Sequence, residues 1–157
     1  MTFEEIHQQY SLKIFRLCMG YVNDHDHAQD LVQETFISIW QNLETFRHEA
    51  SIGTWIFRIA SNHCLRAIKR EGRITKTALH NDIKEEKEEG GDEKIQFLYK
   101  CISELKETER IIISLVLEDL PQAEIASITG MTEGNVRVKV HRIKELLSNK
   151  FTEHGKF

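Results

Sequence analysis

The stretch LPQAEIASITGMTEGNVRVKVHRIKELL, residues 120–147, predicts two short helices joined by a tight turn. Pro121 suits the first turn of a helix, where a missing N–H is no loss. Gly130 tolerates the left-handed backbone that ends a helix, and Thr132 is the expected N-cap of the next one. A compact helix–turn–helix commonly enters the DNA major groove, whereas the competing interpretation is a solvated helical hairpin.

The second predicted helix has an apolar face and a polar face. Spacings of four, three and four residues define the apolar face, which is Val136, Val140, Ile143 and Leu147. The polar face carries Arg137, Val138, His141, Arg142 and Glu145. Residues 132–150 hold five Lys or Arg side chains against two acidic ones. This local basic charge, together with the small Ala126 and the turn glycine, favours DNA binding.

The composition restricts the class of protein. Hydrophobic side chains make up 40% of the 157 residues, and the formal net charge is −4, so this is not a globally basic DNA-coating protein. Three scattered cysteines, Cys18, Cys64 and Cys101, argue against a disulfide framework and for a reducing cytoplasm. No signal-like apolar core and no run near the ~18 apolar residues of a membrane helix occurs. A single proline and few turn clusters predict an all-helical chain.

Two amphipathic helices are predicted in the first 43 residues. Thr2 is a natural N-cap for a helix that ends near Gly20. Its apolar positions are Phe3, Ile6, Tyr10, Ile14, Leu17 and Tyr21. Between the helices lie His25 and His27, which lack the further ligands of a metal site and are expected at a solvated helix entrance.

The helix predicted over residues 30–43 carries a notable polar strip. Its apolar band is Leu31, Val32, Phe36, Ile39, Trp40 and Leu43. Its other side presents Asp30, Gln33, Glu34, Ile37 and Gln41. An apolar residue within an acidic and amide-bearing strip indicates a protein-docking surface, and a solvated face with one stray isoleucine is the alternative.

A loop over residues 44–53 and a helix over residues 54–70 come next. The loop offers Phe46, Arg47, His48 and Ser51 as its chemically useful groups. The helix packs through residues such as Trp55 and Ile56 and carries Arg58, Asn62, Arg66, Lys69 and Arg70 elsewhere. Cations near a helix C-terminus are electrostatically favourable, and they also suit phosphate contact. The neighbouring aromatic residues Phe46, Trp55 and Phe57 add the option of stacking on unpaired bases.

The remaining segments are a charged stretch, two helices and a tail. Residues 71–94 hold eight acidic side chains against five basic ones, and a glycine pair interrupts them, which predicts a mobile linker. Helices are predicted over residues 95–105, with Ile95 on the apolar face, and over residues 108–117, with Thr108 as N-cap. The polar tail 148–157 is expected to be frayed.

Two blocks of this sequence resemble the extracytoplasmic-function (ECF) sigma factors of the sigma-70 superfamily. DHAQDLVQETFISIWQNLETFRHEASIGTWIFRIASNHCLRAIKR is similar to region 2, with DLVQETF, TW, RIA and Asn62 as its best-matching pieces. EIASITGMTEGNVRVKVHRIKELL is similar to region 4. The blocks occur in the family's order, and with their flanking helices they cover almost the whole chain.

The resemblance implies two small helical domains with separate tasks. Residues 1–71 would form the region 2 domain, 72–94 the linker and 95–157 the region 4 domain. Polymerase docking is implied for Asp30, Gln33, Glu34, Ile37 and Gln41. Recognition and melting of the minus-ten element are implied for Phe46, Arg47, Ser51, Arg58, Asn62, Arg66, Lys69 and Arg70. Recognition of the minus-thirty-five element is implied for Arg137, Val138, Lys139, His141 and Arg142.

The resemblance also implies the partners. These are core RNA polymerase, through the clamp helices of its largest subunit and its flap region, promoter DNA and an anti-sigma factor. No stable homo-oligomer is expected, and no cofactor, metal site or enzymatic activity is expected because no nucleophile–base pair, phosphate-binding glycine loop or paired ligand cluster occurs. Two alternatives remain: a helix–turn–helix regulator that acts without being a polymerase subunit, and an interaction module that sequesters a partner without binding DNA.

Overall fold

The computed structural model describes residues 1–74 and 92–155, with the backbone alone for residues 70–74. Within these ranges the chain is all-α, as the sequence predicts. The helices are α1 (Phe3–Val22), α2 (His25–Asn42), α3 (Ile52–Ile74), α4 (Glu93–Ser103), α5 (Glu107–Leu117), α6 (Gln122–Thr129) and α7 (Glu133–His154), and a 3₁₀ turn spans Leu43–Thr45.

The N-terminal half is a three-helix unit with well-defined helix ends. Thr2 caps α1 in a reciprocal capping box with Glu5, in which each side chain accepts the other residue's backbone N–H. Asn23 ends α1 in the left-handed conformation, and Asp24 caps α2 by accepting the N–H of His27 at 2.8 Å. These caps fix the α1–α2 corner, so the apolar faces of α1, α2 and α3 meet in one core.

Several side chains of this half lie elsewhere than the sequence predicts. Trp40 is 64% exposed instead of lying in the apolar band, because Phe36 and Ile39 already fill the α1–α2 contact. Phe57 is buried against Tyr10, so it is withdrawn from base stacking. The third helix begins at Ile52, two residues before its predicted start, since Ser51 caps it through the N–H of Thr54.

The helix–turn–helix forms as predicted. Pro121 is the N-cap residue of α6, and Gly130 ends that helix with a φ of 74°. Thr132 caps α7 by accepting the N–H of Asn135 at 3.2 Å. The apolar face of α7 is buried throughout and comprises Val136, Val140, Ile143 and Leu147.

Other predictions for the C-terminal half are wrong. Lys106 rather than Thr108 precedes α5, without a side-chain cap, and Ile95 is 51% exposed on the first turn of α4. The tail is not frayed over residues 148–154, which continue α7. It is held there by Lys150, whose Nζ donates to Glu104 at 2.7 Å, and by Phe151, which packs on Phe97.

The predicted linker overlaps both flanking helices. Residues 72–74 continue α3, and Asp92 caps α4 by accepting the N–H of Lys94. The predicted mobility therefore concerns residues 75–91, which lie outside the described residues. The boundaries at residues 71 and 95 stay predictions.

The two halves pack directly on each other. Arg16 of α1 donates to both carboxylate oxygens of Glu118, at 2.6 and 2.8 Å. Arg110 of α5 donates to the main-chain oxygen of Tyr21 at 3.2 Å. Helix α3 faces α6, where Arg58 donates to Ser127. The apolar residues of both halves thus join one continuous cluster.

Candidate nucleic-acid interface

The outward face of α7 is the most clearly formed candidate surface for DNA. Arg137, Val138, His141 and Arg142 are exposed, whereas Lys139 is half-buried at the edge of the face. The side chain of His141 is 82% exposed and lies 4.0 Å from the Glu145 carboxylate, one helical turn away. Thr132 caps the N-terminus of α7, so the helix begins at a defined position. A helix that carries hydrogen-bond donors on one exposed face suits insertion into the major groove.

A second surface surrounds the loop between α2 and α3. A cavity of about 210 Å³ opens there. Its walls are Thr45, Phe46, Arg47, Glu49, Ala50, Trp55 and Arg58. The rings of Phe46 and Trp55 lie 4.9 Å apart at 38°, and His48 approaches Phe46 from another side at 4.6 Å. An aromatic wall beside guanidinium groups is able to stack on a base and hold its phosphate.

A polar stripe extends from this cavity along α3. Arg58, Asn62 and Arg66 follow at four-residue intervals and therefore share one helix face. Asn62, Arg66 and Lys69 are exposed, while Arg58 is half-buried because α6 covers it. The side chain of Arg70 lies outside the described residues.

Ser51 has a structural task in this loop. Its hydroxyl accepts the N–H of Thr54 at 3.2 Å and donates to the Thr54 hydroxyl at 2.9 Å. It therefore begins α3 and fixes where the cavity wall turns into the helix. Of the sequence-predicted minus-ten residues, the structure gathers Phe46, Arg47 and Arg58 around the cavity, places Ser51 just before α3 and spreads Asn62, Arg66, Lys69 and Arg70 along α3.

The strip on α2 is exposed as predicted. Asp30, Gln33, Glu34, Ile37 and Gln41 all face solvent, and Ile37 is 55% exposed. Glu34 lies 3.7 Å from Nδ1 of His63, whose Nε2 is 2.7 Å from the Ser38 hydroxyl. This contact ties the strip to α3.

Trp40 is the strip residue that the sequence pattern missed. Its ring packs edge-on against Phe3 at 5.1 Å, and most of it faces solvent. The sequence carries one indication of this exposure. Trp40 lies three residues after Ile37, which places the two side chains on neighbouring parts of the helix surface.

Comparisons with known proteins agree with this layout. The model of Sigma-70 region 2 matches residues 6–74, and the model of Sigma-70, region 4 matches residues 96–147. The ECF RNA polymerase sigma-E factors of Escherichia coli strain K12 and Salmonella typhi are each 30% identical, over 90% of this chain and 82% of their own length. The chain belongs to the ECF RNA polymerase sigma factors. As a sigma factor it directs promoter-specific transcription initiation.

Solved structures share the fold of this sigma factor across both halves. The sigma factor RpoE of Bartonella quintana, in complex with the anti-sigma factor NepR, superposes with a TM-score of 0.75 at 22% identity over 95% of this chain and 98% of that one. CnrH, in complex with the cytosolic domain of CnrY, gives a TM-score of 0.73 at 18% identity over 96% and 88%. Among the described residues of the sigma factor, no helix is long and apolar enough to cross a membrane.

Proposed function

We propose that the sigma factor opens DNA at the cavity between α2 and α3. The observation that supports this proposal is the cavity itself, where Phe46 and Trp55 form an aromatic wall next to Arg47 and Arg58. A base pulled out of the duplex loses stacking worth a few kcal/mol. Stacking on an aromatic ring returns about 1–3 kcal/mol per base, so one captured base offsets much of that cost.

The exposed groups of α3 would hold the strand that carries the extruded base. Arg66 and Lys69 lie beyond the cavity on the same helix and are free to meet successive phosphates of the non-template strand. Asn62, one turn from Arg58, offers an amide for a base edge. The stripe therefore supplies charge for the backbone, and the cavity supplies contacts for one base.

The outward face of α7 would read the minus-thirty-five element as duplex. Its central residue, His141, is placed to meet base edges, and Arg137 and Arg142 flank it. Lys144, further along the helix, would contact phosphate.

Docking on polymerase would involve the strip on α2. Its five side chains are exposed, with Glu34 beside His63 of α3, and their acidic and amide groups suit the clamp helices of the largest subunit. The region 4 domain would meet the flap region. Because the Bartonella relative of like fold is held by an anti-sigma factor, an anti-sigma factor is proposed as a regulator here. The protein would act in the cytoplasm, as a non-enzymatic subunit without a stable homo-oligomer.

Run-off transcription with purified core RNA polymerase tests this function. Core enzyme with the sigma factor is expected to start at discrete sites that core alone does not use. Phe46→Ala should reduce open-complex formation on duplex promoters and should matter much less on a template with the minus-ten region already unpaired. Equal loss on both templates would contradict a role in strand capture. His7→Ala, an exposed ring on α1 that does not line the cavity, is the control.

A further inference from the structure

Two cysteines meet where α1 packs on α3. The Sγ atoms of Cys18 and Cys64 lie 3.7 Å apart, and the two residues are separated by 46 positions in the chain. Both side chains are fully buried. A disulfide bond joins two sulfurs at about 2.05 Å, so closing this gap requires an approach of roughly 1.7 Å. Modest rotations of the two side chains bring the sulfurs closer, and the pair is therefore placed to form a bridge.

Small side chains surround Cys64 on the packed face of α3. Ala60 lies one turn before it and Ala67 nearly one turn after it, and both are buried. Small residues at a helix contact let the two helix axes approach closely. A disulfide needs Cα atoms about 4.4–6.8 Å apart, which facing helices reach only where the side chains between them are small. The residues around Cys64 therefore suit a bridge to α1.

The surroundings make the reduced pair slow to react while the helices are packed. Contact with Cys18 and burial both raise the pKa of the Cys64 thiol. Because the thiolate is the form that attacks an oxidant, a packed and protonated thiol reacts slowly. Local opening of the helix pair exposes both sulfurs to the oxidant together. The pair therefore responds to sustained oxidation and resists a brief exposure.

A bridge at Cys64 would lie on the side of α3 that faces away from the exposed polar stripe. Asn62 and Arg66 are exposed, and each lies two positions from Cys64, which is about 200° around the helix axis. Cys64 itself is on the face that packs against α1. Oxidation there thus leaves the stripe chemically unchanged and adds a covalent link behind it.

We propose that Cys18 and Cys64 are a reversible redox modification site, whose disulfide cross-links α1 to α3 and keeps the N-terminal half folded under oxidising conditions while its DNA-facing side stays intact. The last part rests on the function proposed above for α3. Such a bridge fits a reducing cytoplasm, where disulfides are as a rule transient and redox-sensing.

Hydrogen peroxide is the oxidant for this modification. One thiol is oxidised by peroxide to a sulfenic acid, with release of one water. The second thiol attacks that sulfur, and a second water leaves as the S–S bond forms. Two electrons thus pass from the sulfurs to the peroxide, and both thiol protons end in water. A dithiol reductant reverses the bridge by thiol–disulfide exchange.

Mass spectrometry of the full chain tests bridge formation. Cys101→Ser removes the third thiol, so a bridge within that chain joins the other two cysteines. After peroxide treatment, denaturation and alkylation, this protein should be unalkylated and lighter than the reduced, unmodified protein by two hydrogen atoms. Digestion without reductant should link the peptides that contain Cys18 and Cys64. Alkylation of both thiols after peroxide treatment would overturn the proposal.

Thermal unfolding tests the cross-link. A covalent bond across 46 positions restricts the unfolded chain, so the bridged protein should melt on the order of 10 °C above the reduced protein. Dithiothreitol should return the melting temperature to the reduced value. Cys64→Ser, the matched control, should melt alike with and without peroxide. An unchanged or lower melting temperature of the bridged chain would overturn the stabilising role.

Run-off transcription tests whether the DNA-facing side stays intact. The bridged and the reduced protein, freed of peroxide before core RNA polymerase is added, should start at the same sites with similar yield. Transcription by the reduced protein alone would overturn this part of the proposal. A fault in the proposed function shows separately, as absence of transcription by both forms of a protein whose bridge forms and raises the melting temperature as expected.

Discussion

At the scale of single residues, neighbouring positions on one helix are expected to contact different parts of the DNA. On α7, His141 projects from the middle of the exposed face, whereas Lys144 lies nearly one turn further along. A side chain over the groove meets base edges, and one at the rim meets phosphate. The first kind of contact changes specificity, while the second changes affinity for every sequence alike.

His141→Ala is expected to alter the preferred upstream element more than it alters overall affinity. Loss of a base-reading contact costs about 1–3 kcal/mol of discrimination at one base pair. Lys144→Ala should weaken binding to all sequences and lower the salt slope by about one unit. Both variants would be profiled with core enzyme on a randomised upstream element. An unchanged profile for His141→Ala would leave α7 as a phosphate clamp.

The proposed docking on polymerase is also testable at single residues. Gln33→Ala combined with Glu34→Ala should weaken binding to core polymerase and leave the melting temperature nearly unchanged, because both side chains are exposed. Pull-down with core enzyme measures the first quantity and thermal unfolding the second. Gln9→Ala, an exposed glutamine on α1, is the control for a lost surface amide. Normal core binding by the double variant would remove the strip from the docking surface.

At the scale of helices, their ends decide how the DNA-reading elements are oriented. Gly130 holds the corner between α6 and α7 with a φ of 74°, and a Cβ there would meet open space. Gly134, in the first turn of α7, is also open but has ordinary helical backbone. The same substitution at both positions therefore separates backbone strain from helix propensity.

Gly130→Ala is expected to lower the free energy of unfolding by about 1 kcal/mol, because alanine is strained in the left-handed region. Gly134→Ala should raise it by up to about 1 kcal/mol through helix propensity. Denaturant unfolding of both variants beside the parent measures the difference. Equal effects at the two sites would contradict a conformational role for Gly130.

The last turns of α7 depend on a pair that acid should break. The hydrogen bond from Lys150 lowers the pKa of Glu104 below its ordinary value of 4.5. The pair therefore stabilises the fold above that value and is lost as pH falls through the lowered pKa. Because both groups are partly exposed, Lys150→Ala should cost at most about 1 kcal/mol at neutral pH. That difference from the parent, measured by denaturant unfolding, should vanish in acid.

At the scale of the whole molecule, the apolar residues of the two halves join in one continuous cluster across the interface. A half of this size buries only enough apolar surface for marginal stability, so an added interface raises the stability of both halves. The parent chain is expected to unfold in one calorimetric transition. Gly20→Leu should unfold in two, at lower temperatures, because a side chain at Gly20 of α1 would collide with Ser114 of α5 and the halves would no longer support each other. A single unshifted transition in that variant would contradict the coupling.

The parts of the fold that the sequence predicted are those with local causes. Helical periodicity and end signals located the seven helices within residues 1–74 and 92–155, and the caps at Thr2 and Thr132 follow from residues three positions apart. Exposure of Trp40 and order in the last turns of α7 depend on neighbours distant in sequence, such as Phe3 and Glu104. The hydrogen bond that Arg58 donates to Ser127 joins residues 69 positions apart, so no local sequence pattern predicts it.

The placement of the two tryptophans has an optical consequence. The chain contains only Trp40 and Trp55. Trp40 lies exposed next to the strip on α2, and Trp55 lines the cavity beside Phe46. Each proposed binding event thus has its own intrinsic fluorophore. In a Trp55→Phe chain, emission should shift to shorter wavelength when polymerase covers Trp40, and in a Trp40→Phe chain, stacking of a base on the cavity wall should quench Trp55.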